Sequence, residues 1–247
     1  MSKVNTDAIK PRDTGLDITL GATGDTTVIS ADSINTNTVK DSGGNTLWTS
    51  DGSGNLSSVN SALKGNLVLL NTTTADNTSS ISFTVGSTYD VYIFEFINIR
   101  PVTSTKSLMF QGSTTSSYTN NITQTTTYFY ANFAEDGTNA ELSYAAGYDL
   151  AQSTNYQNLM PEISNAASAS SAATLFLFSP GSTTYVKQYY SKTSSLFWGG
   201  GSPNPRTLSS YVGGYFNTTE AMTQVNFKFD SGNISSGDFK MYGISKS

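Results

Sequence analysis

YDVYIFEFINI, residues 89–99, is the stretch on which the fold turns. Aromatic and β-branched side chains dominate it, which favours an extended strand over a helix. Read with a period of two, Tyr92, Phe94 and Phe96 fall on one face. Val91, Ile93, Glu95, Ile97 and Ile99 fall on the other. Both faces are apolar apart from Glu95. In a two-sheet sandwich each sheet has one dry and one wet face. A doubly apolar strand therefore needs cover on its second face, from a loop or from another subunit. Aromatic enrichment at protein interfaces makes Tyr92, Phe94 and Phe96 the candidate interface set.

Outward from this strand the same period recurs. Ile81-Ser-Phe-Thr-Val85 alternates. So does Thr223 to Phe229, with Thr223, Val225, Phe227 and Phe229 on one face and Met222, Gln224, Asn226 and Lys228 on the other. Phe239 to Ile244 reads as the last strand, after turns at Ser231-Gly232-Asn233 and Ser236-Gly237-Asp238. Leu175–Phe178 and Tyr185–Val186 flank Ser179-Pro180-Gly181-Ser182, a hairpin pattern. Only Ala140 to Ala173 resists a strand reading; Pro161 and a Ser/Ala run point to loop there. About ten strands at this spacing predict an all-β domain over residues 65–247, a jelly-roll-like antiparallel β-sandwich.

Residues 1–64 differ. An extended polar arm (1–14) leads into a segment whose apolar residues come singly or in pairs: Leu16, Ile18, Leu20, Val28, Ile29, Ile34, Val39, Leu47, Trp48, Leu56. Turn clusters such as Asp41-Ser-Gly-Gly-Asn45 and Asp51-Gly-Ser-Gly-Asn55 separate them. Each short strand offers only a few buried methyls at ~25 cal/mol per Å², against an ordering cost of ~1–2 kcal/mol per residue. The segment is expected to be a short-strand stem, intertwined with sister chains or dependent on a larger assembly.

Composition narrows the chemistry. The 247 residues contain no cysteine and no histidine, so a Ser-His-Asp triad, a Cys-His pair and His/Cys zinc sites are excluded. Ser and Thr exceed a quarter of the chain, only 13% of residues are charged, and 14 Tyr and 13 Phe are present, unlike a disordered sequence. The net charge is −5 and Lys/Arg clusters are absent, against nucleic-acid binding. No apolar run reaches the ~18–20 residues of a membrane span, and residues 1–13 do not read as a secretory signal. No cofactor is expected.

The segment IKPRDTGLDITLGATGDT, followed by VKDSGGNTL and the DGSGN turn, resembles the N-terminal stems of virion fibre proteins of marine tailed bacteriophages. Further along, YDVYIFEFINIRP (Tyr89–Pro101), LMFQGS (Leu108–Ser113), GYDLAQST (Gly147–Thr154), GGYFNTT (Gly213–Thr219) and SGNISSGDFKMYGI (Ser231–Ile244) resemble a domain seen in such proteins. The resemblance covers most of the chain, and its motifs are structural. It implies a homotrimer whose N-terminal end meets a tail or capsid protein. The candidate anchor is then Ile9, Lys10, Pro11, Arg12, Leu16, Ile18 and Leu20.

Three features carry a chemical reading beside a plainer one. Glu135, Asp136, Glu141, Asp149 and Glu162 crowd one stretch, but glycoside hydrolysis needs two carboxylates facing each other in a cleft; solvated turn acids are the plainer reading, and the chain is read as non-enzymatic. Asp41 and Asp51 lack the alternating acids and closing Glu of an EF-hand, so they read as turns. The run from Tyr189 to Arg206 is the best candidate for glycan or partner contact, through Tyr189, Tyr190, Phe197, Trp198 and Arg206, because exposed aromatics stack on sugar rings. Its plainer reading is an internal plug beside a flexible Gly/Pro loop.

Overall fold

A computed structural model describes residues 36–60, 66–117, 119, 122–197 and 204–244. The anchor set Ile9, Lys10, Pro11, Arg12, Leu16, Ile18 and Leu20 and the candidate Trp198 lie outside the described residues. The chain divides into two compact units, Met1–Leu63 and Lys64–Ser247. No helix occurs among the described residues.

In the first unit β1 (Thr38–Lys40), β2 (Thr46–Ser50) and β3 (Leu56–Val59) form an antiparallel meander. The same turn builds both of its hairpins. Asp41 Oδ1 accepts the backbone N–H groups of Gly43 (2.9 Å) and Asn45 (2.8 Å), and its Oδ2 accepts the Asn45 amide (3.0 Å). Ten residues on, Asp51 Oδ1 accepts from Ser53 N (2.7 Å) and Asn55 N (3.1 Å), and Oδ2 from the Asn55 amide (2.9 Å). Gly44 and Gly54 carry φ of 82° and 90°, a region closed to most side chains. Both aspartates are therefore turn formers, and their carboxyls sit below the usual carboxylate range, chiefly through the Asn45 and Asn55 side chains.

The second unit is an antiparallel β-sandwich, nearly barrel-shaped. Its strands are β4 (Leu67–Thr78), β5 (Ile81–Thr84), β6 (Val91–Pro101), β7 (Lys106–Ser113), β8 (Gln124–Ala134), β9 (Ala140–Tyr144), β10 (Gln157–Ile163), β11 (Ser171–Phe178), β12 (Lys187–Phe197), β13 (Arg206–Phe216), β14 (Gln224–Phe229) and β15 (Ile234–Ile244). One layer runs β4-β15-β6-β11-β12-β13-β8-β9 and the other β10-β7-β14-β5. The layers meet where Ile163 of β10 pairs with Phe197 of β12. The first and last strands lie side by side, with Leu67 opposite Ile244.

Between the layers lies an aromatic core centred on Phe227, which is fully buried. Its ring centroid stands 5.0 Å from Phe96, 5.4 Å from Phe94, 6.1 Å from Phe110 and Phe239, and 6.2 Å from Phe83. These contacts, tilted or edge-on except for the stacked Phe110, add to the large areas the rings remove from water.

Tyr92, Phe94 and Phe96 belong to this core, not to a surface. The outward face of β6 is the half-exposed series Val91, Ile93, Glu95 and Ile97. The physical reason is register: the ring-bearing series faces β14, whose Phe227 fills the space between the layers. At Asn98, with φ of 56°, the alternation slips by one residue, so Ile99 turns inward after Phe96.

Other strands depart from the sequence reading. Pro161 lies inside β10, where the pairing with β7 shifts register between Asn158 and Met160 and again between Met160 and Ile163. A bulged ladder needs no N–H at proline. The run after Tyr189 is a central strand, β12, not a loop; Tyr185 and Val186 lie in the loop before it. Its inward residues include Ser191, Thr193 and Ser195, whose small size and polarity disguise a buried face. Thr193 Oγ1 accepts the N–H of Ser210 on β13 (3.2 Å), standing in for a ladder bond.

Candidate functional site

In the first unit the ladder register places Val39 opposite Trp48 and Trp48 opposite Val59. One apolar row thus crosses all three strands. Every residue of 36–60 whose burial is described is half-exposed or exposed, Trp48 included. The meander has a stripe suited to a core but no core of its own.

In the second unit a polar groove is built from residues far apart in sequence. Its foundation is a set of fully buried glutamines that fasten the loop between β9 and β10. Gln111 Nε2 donates to the carbonyls of Thr154 (2.9 Å) and Asn155 (3.1 Å), and Gln124 Nε2 donates to Asn155 O (2.8 Å). Gln157 Nε2 donates to Tyr148 O (2.9 Å). Gln124 in turn accepts the hydroxyl of Tyr189 at 2.6 Å. Buried amides with all partners in place are stiff, so Tyr148 and Tyr156 are held firmly over the sandwich.

Tyr148 lines two cavities. One, of about 160 Å³, lies between β8, β9, β10 and β13 and is bordered by Asn132, Glu141, Glu162, Phe197 and Arg206. The other, of about 500 Å³, is bordered by Met109, Tyr156, Asn158, Lys228 and Asp230. In the smaller one Tyr130 donates to Glu141 Oε1 (3.0 Å) and Asn132 Nδ2 to Glu141 Oε2 (3.1 Å), while the Tyr148 hydroxyl donates to Glu162 Oε1 (3.4 Å). Burial, then the nearby carboxylates, raises the Tyr130 and Tyr148 pKa values. Glu162 has φ of 51°, a costly backbone for a non-glycine residue, at the bulge beside Pro161. In the larger cavity the Lys228 ammonium stands 4.3 Å from the Tyr156 ring centroid.

Three polar atoms of residues that border these cavities have no hydrogen-bond partner and lie beneath the surface: Asn132 Oδ1, Asn158 Oδ1 and Arg206 Nε. Asn132 is 9% exposed and Asn158 8%. The Asn132 amide cannot be turned around, since its nitrogen faces the Glu141 carboxylate. A buried group left without a partner costs roughly 1–3 kcal/mol.

The sequence candidates are thereby dispersed. Tyr189 is buried, its hydroxyl committed to Gln124. Tyr190 is exposed on the opposite face of β12, stacked on Phe176 at 4.8 Å. Phe197 and Arg206 do share a site, the smaller cavity, together with Glu141 and Glu162. Asn132, Asn158, Tyr148 and Tyr156 were not singled out by sequence; in a chain so rich in Asn and Tyr, none carries a distinguishing motif. Among the described residues no cluster of acids is arranged to hold a metal ion.

Comparison of the chain with protein-family models, with curated proteins and with solved structures finds no match.

Proposed function

We propose that the chain is a non-enzymatic structural protein of a bacteriophage virion, a homotrimeric tail fibre or spike component held by its N-terminal arm. The observation that carries the assembly half of this reading is the Val39–Trp48–Val59 row, apolar across three strands and only partly buried. Three such rows brought together about a threefold axis make one core from three incomplete ones. The virion half rests on the resemblance of segments between Ile9 and Asn55 to fibre stems. Attachment to the capsid, as a decoration or head-fibre protein, differs only in the partner that grips the arm.

Size-exclusion chromatography with light scattering tests the assembly. The full chain should elute as a trimer and Trp48→Ser as a monomer with an intact sandwich; a monomeric wild type refutes the reading. A variant lacking residues 1–64 should fold but be missing from particles. Its normal incorporation would refute the anchor.

A further inference from the structure

We propose that the outward face of the eight-stranded layer is where sister sandwiches meet, the β4–β15–β6 flank of one copy packing on the β13–β8–β9 flank of the next. This rests on the homotrimeric reading and adds to it an interface that the stem does not supply.

Exposed apolar surface is concentrated on this face. Among the described residues of the sandwich, seven of the nine exposed large hydrophobic side chains stand on it; only Val102 and Tyr185, both in loops, lie elsewhere. The pairing register joins them into rows. Leu69, Tyr242, Ile93, Phe176 and Tyr190 are successive partners across β4, β15, β6, β11 and β12. The row beside it starts at Leu67, ends at Phe178 and is apolar throughout. On the other flank Tyr211, Phe129 and Tyr144 are partners across β13, β8 and β9, and the neighbouring Leu142 is 78% exposed. Between the flanks the first row stops at Gly213, the partner of Tyr190. A Cβ at Gly213 would have only Thr127 Oγ1 near it, at 3.7 Å, so the glycine floors a hollow that a leucine of another copy can enter.

The area and the charges fit a second copy. The layer wraps the core towards a barrel, so its outer face is convex and one flat partner cannot cover both flanks. A threefold ring gives each sandwich two neighbours, one per flank. Four strands at ~4.8 Å and four side-chain rows at ~6.8 Å make a flank of about 500 Å². Two flanks meeting bury about 1,000 Å², the threshold for a specific contact. The charges set among these rows, Glu95 and Asp238 against Lys192 and Lys240, cancel, so the copies do not repel. Left uncovered, apolar surface on this scale is uncommon on a soluble monomer.

The chain has no cysteine, so thiols can be placed at will. The experiment treats the full chain carrying Leu69→Cys, Leu142→Cys or both with a short bismaleimide, and reads denaturing gels beside light scattering. The double variant should give two-chain and three-chain bands, and an equal mixture of the single variants, assembled together, should give two-chain bands. Each single variant alone should stay at one chain. In a second measurement, Leu69→Lys and, separately, Leu142→Lys should raise at least tenfold the concentration at which trimers come apart. Thr84→Lys, on the other layer, should leave it unchanged. A trimer by light scattering whose double variant does not crosslink, and which Leu69→Lys leaves intact, overturns this interface and spares the stem reading. Crosslinking of Leu69→Cys alone as strong as that of the double variant means that like flanks meet, and also overturns it. Crosslinked trimers that survive Trp48→Ser support the interface and refute the stem row as the carrier of assembly. A monomeric wild type overturns both.

Discussion

Replacing Lys187 with methionine should cost the sandwich about 2–3 kcal/mol, chiefly through hydrogen bonds to neutral carbonyls. Lys187 is fully buried, and its ammonium donates to the carbonyls of Ser182 (2.7 Å), Tyr185 (2.8 Å) and Thr218 (3.1 Å). It ties the loop before β12 to the loop after β13. Methionine keeps the aliphatic stem and removes all three donors. If the carbonyls stayed dry, each would cost roughly 1–3 kcal/mol. They lie near the surface and water can reach them, so the lower figure applies, about 3 kcal/mol in all. Removing the buried charge returns part of that. For a unit of this size the change lowers Tm by roughly 4–12 °C. The pH dependence has a definite sign. Burial holds the Lys187 pKa below its ordinary 10.5. Between the lowered value and 10.5 the unfolded chain binds more protons, so the wild type gains stability over the variant as pH rises through that window. Urea unfolding followed by fluorescence, with hydrogen exchange in residues 179–186, measures both effects. A loss under about 0.5 kcal/mol, with unchanged exchange in that loop, would show that the ammonium is not the tie described.

Phe227→Ala empties the centre of the aromatic core and should cost roughly 3–5 kcal/mol, with collapse of the near-ultraviolet dichroism; a loss near 1 kcal/mol would mean the five neighbouring rings close the gap freely. The paired turns should fail in acid. Both aspartate pKa values are depressed from 3.8, so their contribution is complete above that value and is lost as pH falls through the lowered ones. Trp48 emission should report this loss, and Asp41→Asn with Asp51→Asn should abolish the transition. If that double variant keeps the same acid midpoint, other carboxylates are responsible.

What could be read in the sequence follows the size of the inward side chains. β6 and β14 declared themselves because phenylalanines recur at every second position. β12 did not, since its inward face beyond Tyr189 is Ser191, Thr193 and Ser195, which look the same as its solvent face. β10 was hidden by Pro161, acceptable only because a bulge interrupts the ladder there. The sandwich itself was legible, but the inward direction of Tyr92, Phe94 and Phe96 was not: a strand apolar on both faces does not reveal which one its partner sheet covers. The groove was half visible. Phe197, Arg206, Glu141 and Glu162 each drew notice for separate reasons, and only the meeting of β10 with β12 brings them to one wall. Asn132 and Asn158 matter through what they fail to touch, which no sequence pattern records.

The adjacency of β4 and β15 has an engineering consequence. The sandwich begins and ends on neighbouring strands, with Leu67 facing Ile244, so its backbone is almost a closed circle. A short peptide bridging those ends would complete it, and the exposed Thr183–Tyr185 segment offers a place to open new termini. Such a circular permutant keeps every strand neighbour; it turns the β4–β15 pairing into a local hairpin and makes the β11–β12 hairpin the most distant pairing instead. The two changes offset in mean sequence separation, so its folding rate should stay close to that of the parent.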